Sequence, residues 1–246
     1  MSLLMSIWSR VKTATERRLF SEYGAVFTTS AVPPPVIVFK DAAEVDAFQS
    51  TLSTRAARIG EHQITLQDPA MNALLEAGAR AKQEGSSLSA RASDSGARGY
   101  DDTVRLWIRN INRGLEHWGE RGRLSAPEAD AVRGLDPADQ VPVILGLEDE
   151  RSLFFGTYFD RSILSSVAAP GASQHLSLLA FDVMEYQDSR IEQLLNSCGW
   201  YRTVQNDLPH FTYLGHSAEK LKGLGLKKVQ RDYGETTYAF WIPEIS

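Results

Sequence analysis

The second half of the chain settles its fold class. From Leu153 onward, short aromatic or β-branched runs follow one another: Phe154, Phe155, Tyr158 and Phe159, then Leu176 to Met184, Trp200 to Val204, Phe211 to Leu214 and Tyr238 to Ile242. Such runs fit a pleated, half-buried surface and read as strands. One helical pattern interrupts them, from Asp188 through Ile191, Leu194 and Leu195 to Gly199. Helices and strands therefore mix without the regular βαβ alternation of a parallel sheet. The expected class is α+β, with an antiparallel sheet flanked by helices.

The first half is richer in helix signals. Ile7, Trp8, Val11, Leu19 and Phe20 give a helical rhythm that ends at Val32-Pro33-Pro34-Pro35, since Pro cannot donate and restricts its predecessor. A strand over Val36 to Phe39 is expected next. Asp41 stands three residues before Glu44, as in a capping box, with Val45, Phe48 and Leu52 on one face and Gly60 as the stop. A strand from Gln63 to Leu66 leads to Asp68-Pro69, an N-cap with Pro at the first helical position, and a helix to Gly85. Ser86 to Arg91 suits a further strand. An amphipathic helix is expected over Tyr100 to Trp118, a second capping box at Ser125-Ala126-Pro127-Glu128, and a short helix from Asp136-Pro137. The organisation expected is a mainly helical N-terminal extension over residues 1–60, then one domain over 61–246 with a helical insertion around 108–150. No repeat, low-complexity tract or linker interrupts it.

Composition removes several function classes. With 26 Lys plus Arg against 31 Asp plus Glu, the net charge of -5 offers no basic footprint for nucleic acid. A single cysteine, Cys198, excludes an intrachain disulfide and any multi-cysteine metal site, so a metal must use His, Asp or Glu. No apolar run reaches the roughly 18–20 residues of a membrane span, and Leu3 to Tyr23, with Arg10, Lys12, Glu16, Arg17 and Arg18, does not read as a signal peptide. Nothing in the residues fixes an oligomeric state. There is no G-x-G-x-x-G, P-loop, G-x-S-x-G or H-E-x-x-H.

The histidines are His62, His117, His175, His210 and His216. His62, His117 and His216 sit where surface or packing histidines are common. His175 is followed seven residues later by Asp182. Positions i and i+7 of one strand face opposite ways, so pairing them needs a loop at His175 that bends into the strand carrying Asp182. His210 follows Asp207-Leu208-Pro209, a turn leading into a strand. Two imidazoles and a carboxylate, with the fourth position left to water, make a chemically complete catalytic zinc set, and a nearby carboxylate, Asp207 or Glu185, supplies a general base. A buried His–Asp pair tying two elements together has the same spacing.

Read together, Ser173-Gln174-His175, Ala180-Phe181-Asp182, Gly199-Trp200 and Asp207-Leu208-Pro209-His210-Phe211-Thr212-Tyr213 resemble the zinc peptidoglycan peptidases. That family holds D-alanyl-D-alanine carboxypeptidases of the vancomycin-resistance type and phage L-alanyl-D-glutamate endopeptidases, of the hedgehog-like metallopeptidase fold. Upstream, Met71 to Gly85 resembles the helix before the family's Ser-Gly-Tyr-Arg segment, here Ser95-Gly96-Ala97-Arg98. The resemblance covers about residues 66 to 214. It implies zinc held by His175, Asp182 and His210, with Asp207 as general base, Ser173 orienting the ligand shell and Arg98 binding a substrate carboxylate. It also implies hydrolysis of peptidoglycan stem peptides, with D-alanyl-D-alanine carboxypeptidase as the leading activity, endopeptidase action as its variant, and the cell envelope or periplasm as location. A zinc-containing peptidoglycan-binding module without turnover is the rival.

Three positions depart from the family pattern. Leu178 stands where Gly is frequent, three after the first His; Asp207 replaces the usual Glu, as in the phage endopeptidases; and Ala97 replaces the Tyr before the arginine. The first is expected to reshape the cleft. The last leaves Arg91 and Arg161 as alternatives to Arg98.

Overall fold

The structure, a computed structural model, describes residues 2–245. In chain order its elements are α1 (Leu3–Trp8), α2 (Ala14–Tyr23), α3 (Ala42–Gln49), β1 (Thr54–Ile59), β2 (His62–Gln67), α4 (Asp68–Gln83), α5 (Tyr100–Glu120), α6 (Ala126–Arg133) and α7 (Pro137–Arg151). They continue with β3 (Ala180–Asp182), α8 (Ser189–Ser197), β4 (Trp200–Tyr201), β5 (His210–Tyr213), α9 (Ala218–Gly223), β6 (Leu226–Tyr233) and β7 (Thr236–Pro243). The class is α+β, and every strand pairing among the described residues is antiparallel. No helix among them is long and apolar enough to cross a membrane.

Packing divides the chain into two compact units. One comprises the residues up to Ile37, Asp46–Arg98 and those from Gln174 on; the other comprises Val38–Val45 and Gly99–Ser173. In the first, Ala70, Met71, Leu74, Ala77 and Ala81 line one face of α4, at the spacing that stacks side chains on a helix. They belong to one core with Ile64 and Leu66 of β2, Phe181 of β3, Ile191 and Leu195 of α8, Trp200 of β4 and Phe211 of β5. Each fully buried Leu, Ile, Phe or Met side chain among them contributes about 1.5–3 kcal/mol. This core fixes a three-stranded sheet of order β3-β5-β4, in which Asp182 pairs directly with His210. Opposed residues of an antiparallel pair share a face. β1-β2 and β6-β7 are separate hairpins.

The second unit is built on α5, α6 and α7, which pack pairwise. The capping box expected at Ser125 and Glu128 starts α6. Gly114 on α5 lies against Phe155, where a Cβ would come within 2.2 Å of the ring. Buried Glu148 on α7 ties down the following loop, accepting from the Phe155 and Ile163 backbone N–H groups at 3.0 and 2.7 Å and from the Ser162 hydroxyl at 2.6 Å.

Several local expectations are corrected. Val36–Phe39 forms bends rather than a strand. The helix begun at Ala42 ends at Gln49, because β1 starts at Thr54 and Gly60, at φ 62, serves the β1-β2 turn. Phe154 to Phe159 is irregular: Phe155 is buried against Gly114 of α5 and Phe159 stacks on His117 at 3.8 Å. Ser86 to Arg91 contributes only a single bridge, Ala90 to Val183. The helix after Asp136 runs to Arg151, longer than expected.

Candidate metal centre

His175, Asp182 and His210 come together by three different routes. Asp182 ends β3 and His210 begins β5, and their direct pairing sets both side chains on one face of the sheet. His175 lies in a 3₁₀ turn, Gln174–Ser177, just before β3. The chain reverses between them at Leu178, whose N–H bonds the His175 carbonyl at 3.1 Å and whose φ is 57. That left-handed conformation costs a residue with a Cβ about 1–2 kcal/mol. It explains why glycine suits this position, and why Leu178, buried, holds it only with the surrounding core closed over it.

The hydrogen bonds around the two imidazoles decide which nitrogens face Asp182. His175 Nδ1 lies 2.7 Å from the Gly96 carbonyl, which can only accept, so Nδ1 carries the proton and Nε2 presents a lone pair. His210 Nε2 lies 2.8 Å from Gln174 Oε1. The Gln174 amide is oriented by its own Nε2 donating to the Tyr23 carbonyl at 2.8 Å, while Oε1 also accepts from Thr203 and Thr212. His210 Nε2 is therefore a donor and Nδ1 a lone pair. Both lone pairs turn toward Asp182 Oδ1, at 3.4 Å from His175 Nε2 and 3.3 Å from His210 Nδ1. His175 Nε2 and Asp182 Oδ1 are buried without a hydrogen-bond partner among the described residues.

Three acceptors within 4.8 Å of one another, with no donor between them, fit a cation. The separations also fit a particular size. Tetrahedral bonds of about 2.0–2.1 Å put ligand atoms roughly 3.3–3.4 Å apart, the distances seen here. Burial pushes the His175 imidazole below its ordinary pKa, which keeps it neutral and able to ligate.

The segment Ser95–Arg98 abuts this cluster. The Ser95 carbonyl accepts from the Asp182 N–H at 3.0 Å, and the Gly96 carbonyl holds His175. A Cβ at Gly96 would lie 2.6 Å from Ile64 Cγ2, so only glycine brings that carbonyl in. Arg98 Nη2 donates to Asp182 Oδ2 at 2.7 Å and Nε to the Asp94 carbonyl at 3.0 Å. Ala97 is exposed.

Asp207 stands at the turn before β5. It keeps contact with solvent, yet the protein crowds it. That desolvation raises its carboxyl above the ordinary value; His210 opposes the rise and the charge of Asp182 adds to it. Glu185, the other candidate base, is occupied elsewhere: its carboxylate accepts from the Ser89 N–H at 2.8 Å and from the Ser87 and Ser89 hydroxyls. Ser173 is buried and belongs to the second unit, as does exposed Arg161 with its partner Asp160. Arg91 is exposed, but its backbone N–H bonds the Asp182 carbonyl at 3.1 Å. Among the described residues His62, His117 and His216 join no metal-binding cluster. Gln174 is the functional neighbour that sequence reasoning missed; its signal was a polar residue inside the buried stretch from Ser173 to Phe181.

Fold and site together define an α+β protein with a buried His-Asp-His cluster that can hold a metal ion. No family model and no curated protein matches the chain. Two peptidases are among its structural neighbours. The LdcB LD-carboxypeptidase is 18% identical with a TM-score of 0.37, over 64% of this chain and 63% of its own. The vancomycin-resistance D,D-pentapeptidase VanY, solved as a mutant in complex with Zn(II), is 16% identical with a TM-score of 0.35, over 65% and 79%. The chain thus spans less than two thirds of the LdcB structure's length.

Proposed function

We propose that the chain is a zinc-dependent peptidase of peptidoglycan stem peptides, acting as a D-alanyl-D-alanine carboxypeptidase at the cell envelope. The observation that carries this is the convergence of two imidazole lone pairs and a carboxylate oxygen, with no donor between them. The ordered motifs around His175, Asp182 and His210 support it. His175, Asp182 and His210 would hold the ion. Bound there, zinc supplies Lewis-acid chemistry, lowering the pKa of water toward ~7 and polarising a carbonyl.

The chain's own residues supply the rest. Asp207 takes a proton from the attacking water and delivers it to the leaving amine, a role favoured by a carboxyl whose pKa is raised above the ordinary carboxylate value. Gly96 and Gln174 keep the two imidazoles in ligating tautomers. Arg98 has one arm committed to Asp182, and Nη1 is the arm left to meet a terminal carboxylate.

Digestion of purified peptidoglycan by the zinc-loaded protein, with products identified by mass, tests the proposal. Stem peptides shortened by one D-alanine support it. Cleaved cross-links with intact stem ends would make it an endopeptidase, and tight binding with no product a non-catalytic module.

A further inference from the structure

The turn that carries Asp207 is anchored by the C-terminal hairpin, a part of the chain to which no motif gives a role. Asn206 adopts φ 71, a left-handed conformation that Asn tolerates better than most residues. Within the turn the Asp207 N–H reaches the Val204 carbonyl at 3.4 Å and the Asp207 carbonyl accepts from the His210 N–H at 3.2 Å, but neither bond holds the backbone of Asn206. The Asn206 N–H donates to the Tyr233 hydroxyl at 2.8 Å, and that hydroxyl donates to Asn206 Oδ1 at 3.0 Å. Tyr233 closes β6, and its ring packs against Tyr238 and Phe240 of β7, at 5.9 and 6.2 Å between centroids.

A second anchor lies on the other side of Asp207. Arg202 is fully buried, its guanidinium 4.5 Å above Phe211 and 4.9 Å above Tyr238. Its Nε donates to the Leu208 carbonyl at 2.8 Å, its Nη2 to the Tyr186 carbonyl, and its Nη1 pairs with Glu192. The Arg202 carbonyl in turn accepts from the Trp241 N–H of β7 at 2.8 Å. Asp207 therefore sits between Asn206, gripped by the hairpin directly, and Leu208, gripped through Arg202.

We propose that Tyr233 is a positioning residue, whose hydroxyl fixes the Asn206 turn and so aims the Asp207 carboxylate. The proposal rests on the reading of Asp207 as general base. A base displaced by about 1 Å loses up to roughly a hundredfold in rate. The substrate is held by other residues, so the effect falls on kcat.

The test compares Tyr233→Phe with wild type as full-length, zinc-loaded protein. Phe keeps the ring packing and removes both hydrogen bonds. Amide exchange by mass spectrometry should quicken several-fold over residues 203–209 and stay unchanged over 180–182. On a stem peptide ending in D-Ala-D-Ala, kcat should fall about tenfold with KM within twofold and zinc content unaltered. Unchanged exchange over 203–209 overturns the proposal. Faster exchange with undiminished kcat overturns it too, and Asp207→Ala assigns the cause: if that variant also keeps its rate, the base reading has failed, and if it alone loses rate, the clamp has.

Discussion

Gln174 Oε1 lies 2.8 Å from His210 Nε2 and is the group that forces the His210 lone pair onto Nδ1, toward Asp182. Outer partners of metal-ligating histidines typically contribute 10–100-fold in metal affinity. Gln174→Leu should therefore weaken zinc binding by about that factor, while Gln174→Glu, which keeps the acceptor for His210 but loses the donor to the Tyr23 carbonyl, should weaken it less. Competition with a chromophoric chelator measures both.

On the proposed reading, Asp207 separates binding from turnover. Asp207→Ala should keep its zinc and lose about 10²–10⁴-fold in kcat, the usual worth of a general base. Zinc content and steady-state rates on the same preparation check this, and joint loss of both would make Asp207 a ligand or a structural group.

Arg98 has two tasks in this account, because Nη2 holds Asp182 Oδ2 at 2.7 Å while Nη1 is left for substrate. Arg98→Ala should lower kcat/KM by about ten- to a hundredfold on a peptide with a free C-terminal carboxylate. The loss should be smaller on the C-terminal amide. Equal losses on the two peptides would confine Arg98 to orienting Asp182.

Glu148 carries the stability of the second unit's loop. Removing it strands two buried backbone N–H groups, those of Phe155 and Ile163. Each unmet donor costs about 1–3 kcal/mol, so Glu148→Ala should destabilise by roughly 2–6 kcal/mol in urea unfolding. Glu150→Ala, exposed on the same helix, should change stability by less than about 0.5 kcal/mol.

Much of this was legible in the residues, for identifiable reasons. The capping box at Ser125, Pro at the start of α4 and α7, and the aromatic and β-branched residues of β5 are local signals, and local signals survive folding. The seven-residue step from His175 to Asp182 required a bend, and Leu178 makes it. What failed was decided by tertiary partners. The aromatic run at Phe154 to Phe159 looked like a strand because β propensity measures packing, and here the packing partners are helices of the second unit. The polar strand β6 carries almost no apolar signal and exists through its pairing with β7. Gln174 escaped notice because its function lies in an acceptor aimed at a residue 36 positions away, which no spacing reveals.

The central claim is that His175, Asp182 and His210 form one zinc site. Elemental analysis of wild type, His175→Ala and His210→Ala, purified identically, tests it most directly. The account predicts about one zinc per wild-type chain, as a single site of this composition holds, and little in either variant. Equal zinc in all three proteins, or none in wild type supplied with zinc, would contradict it.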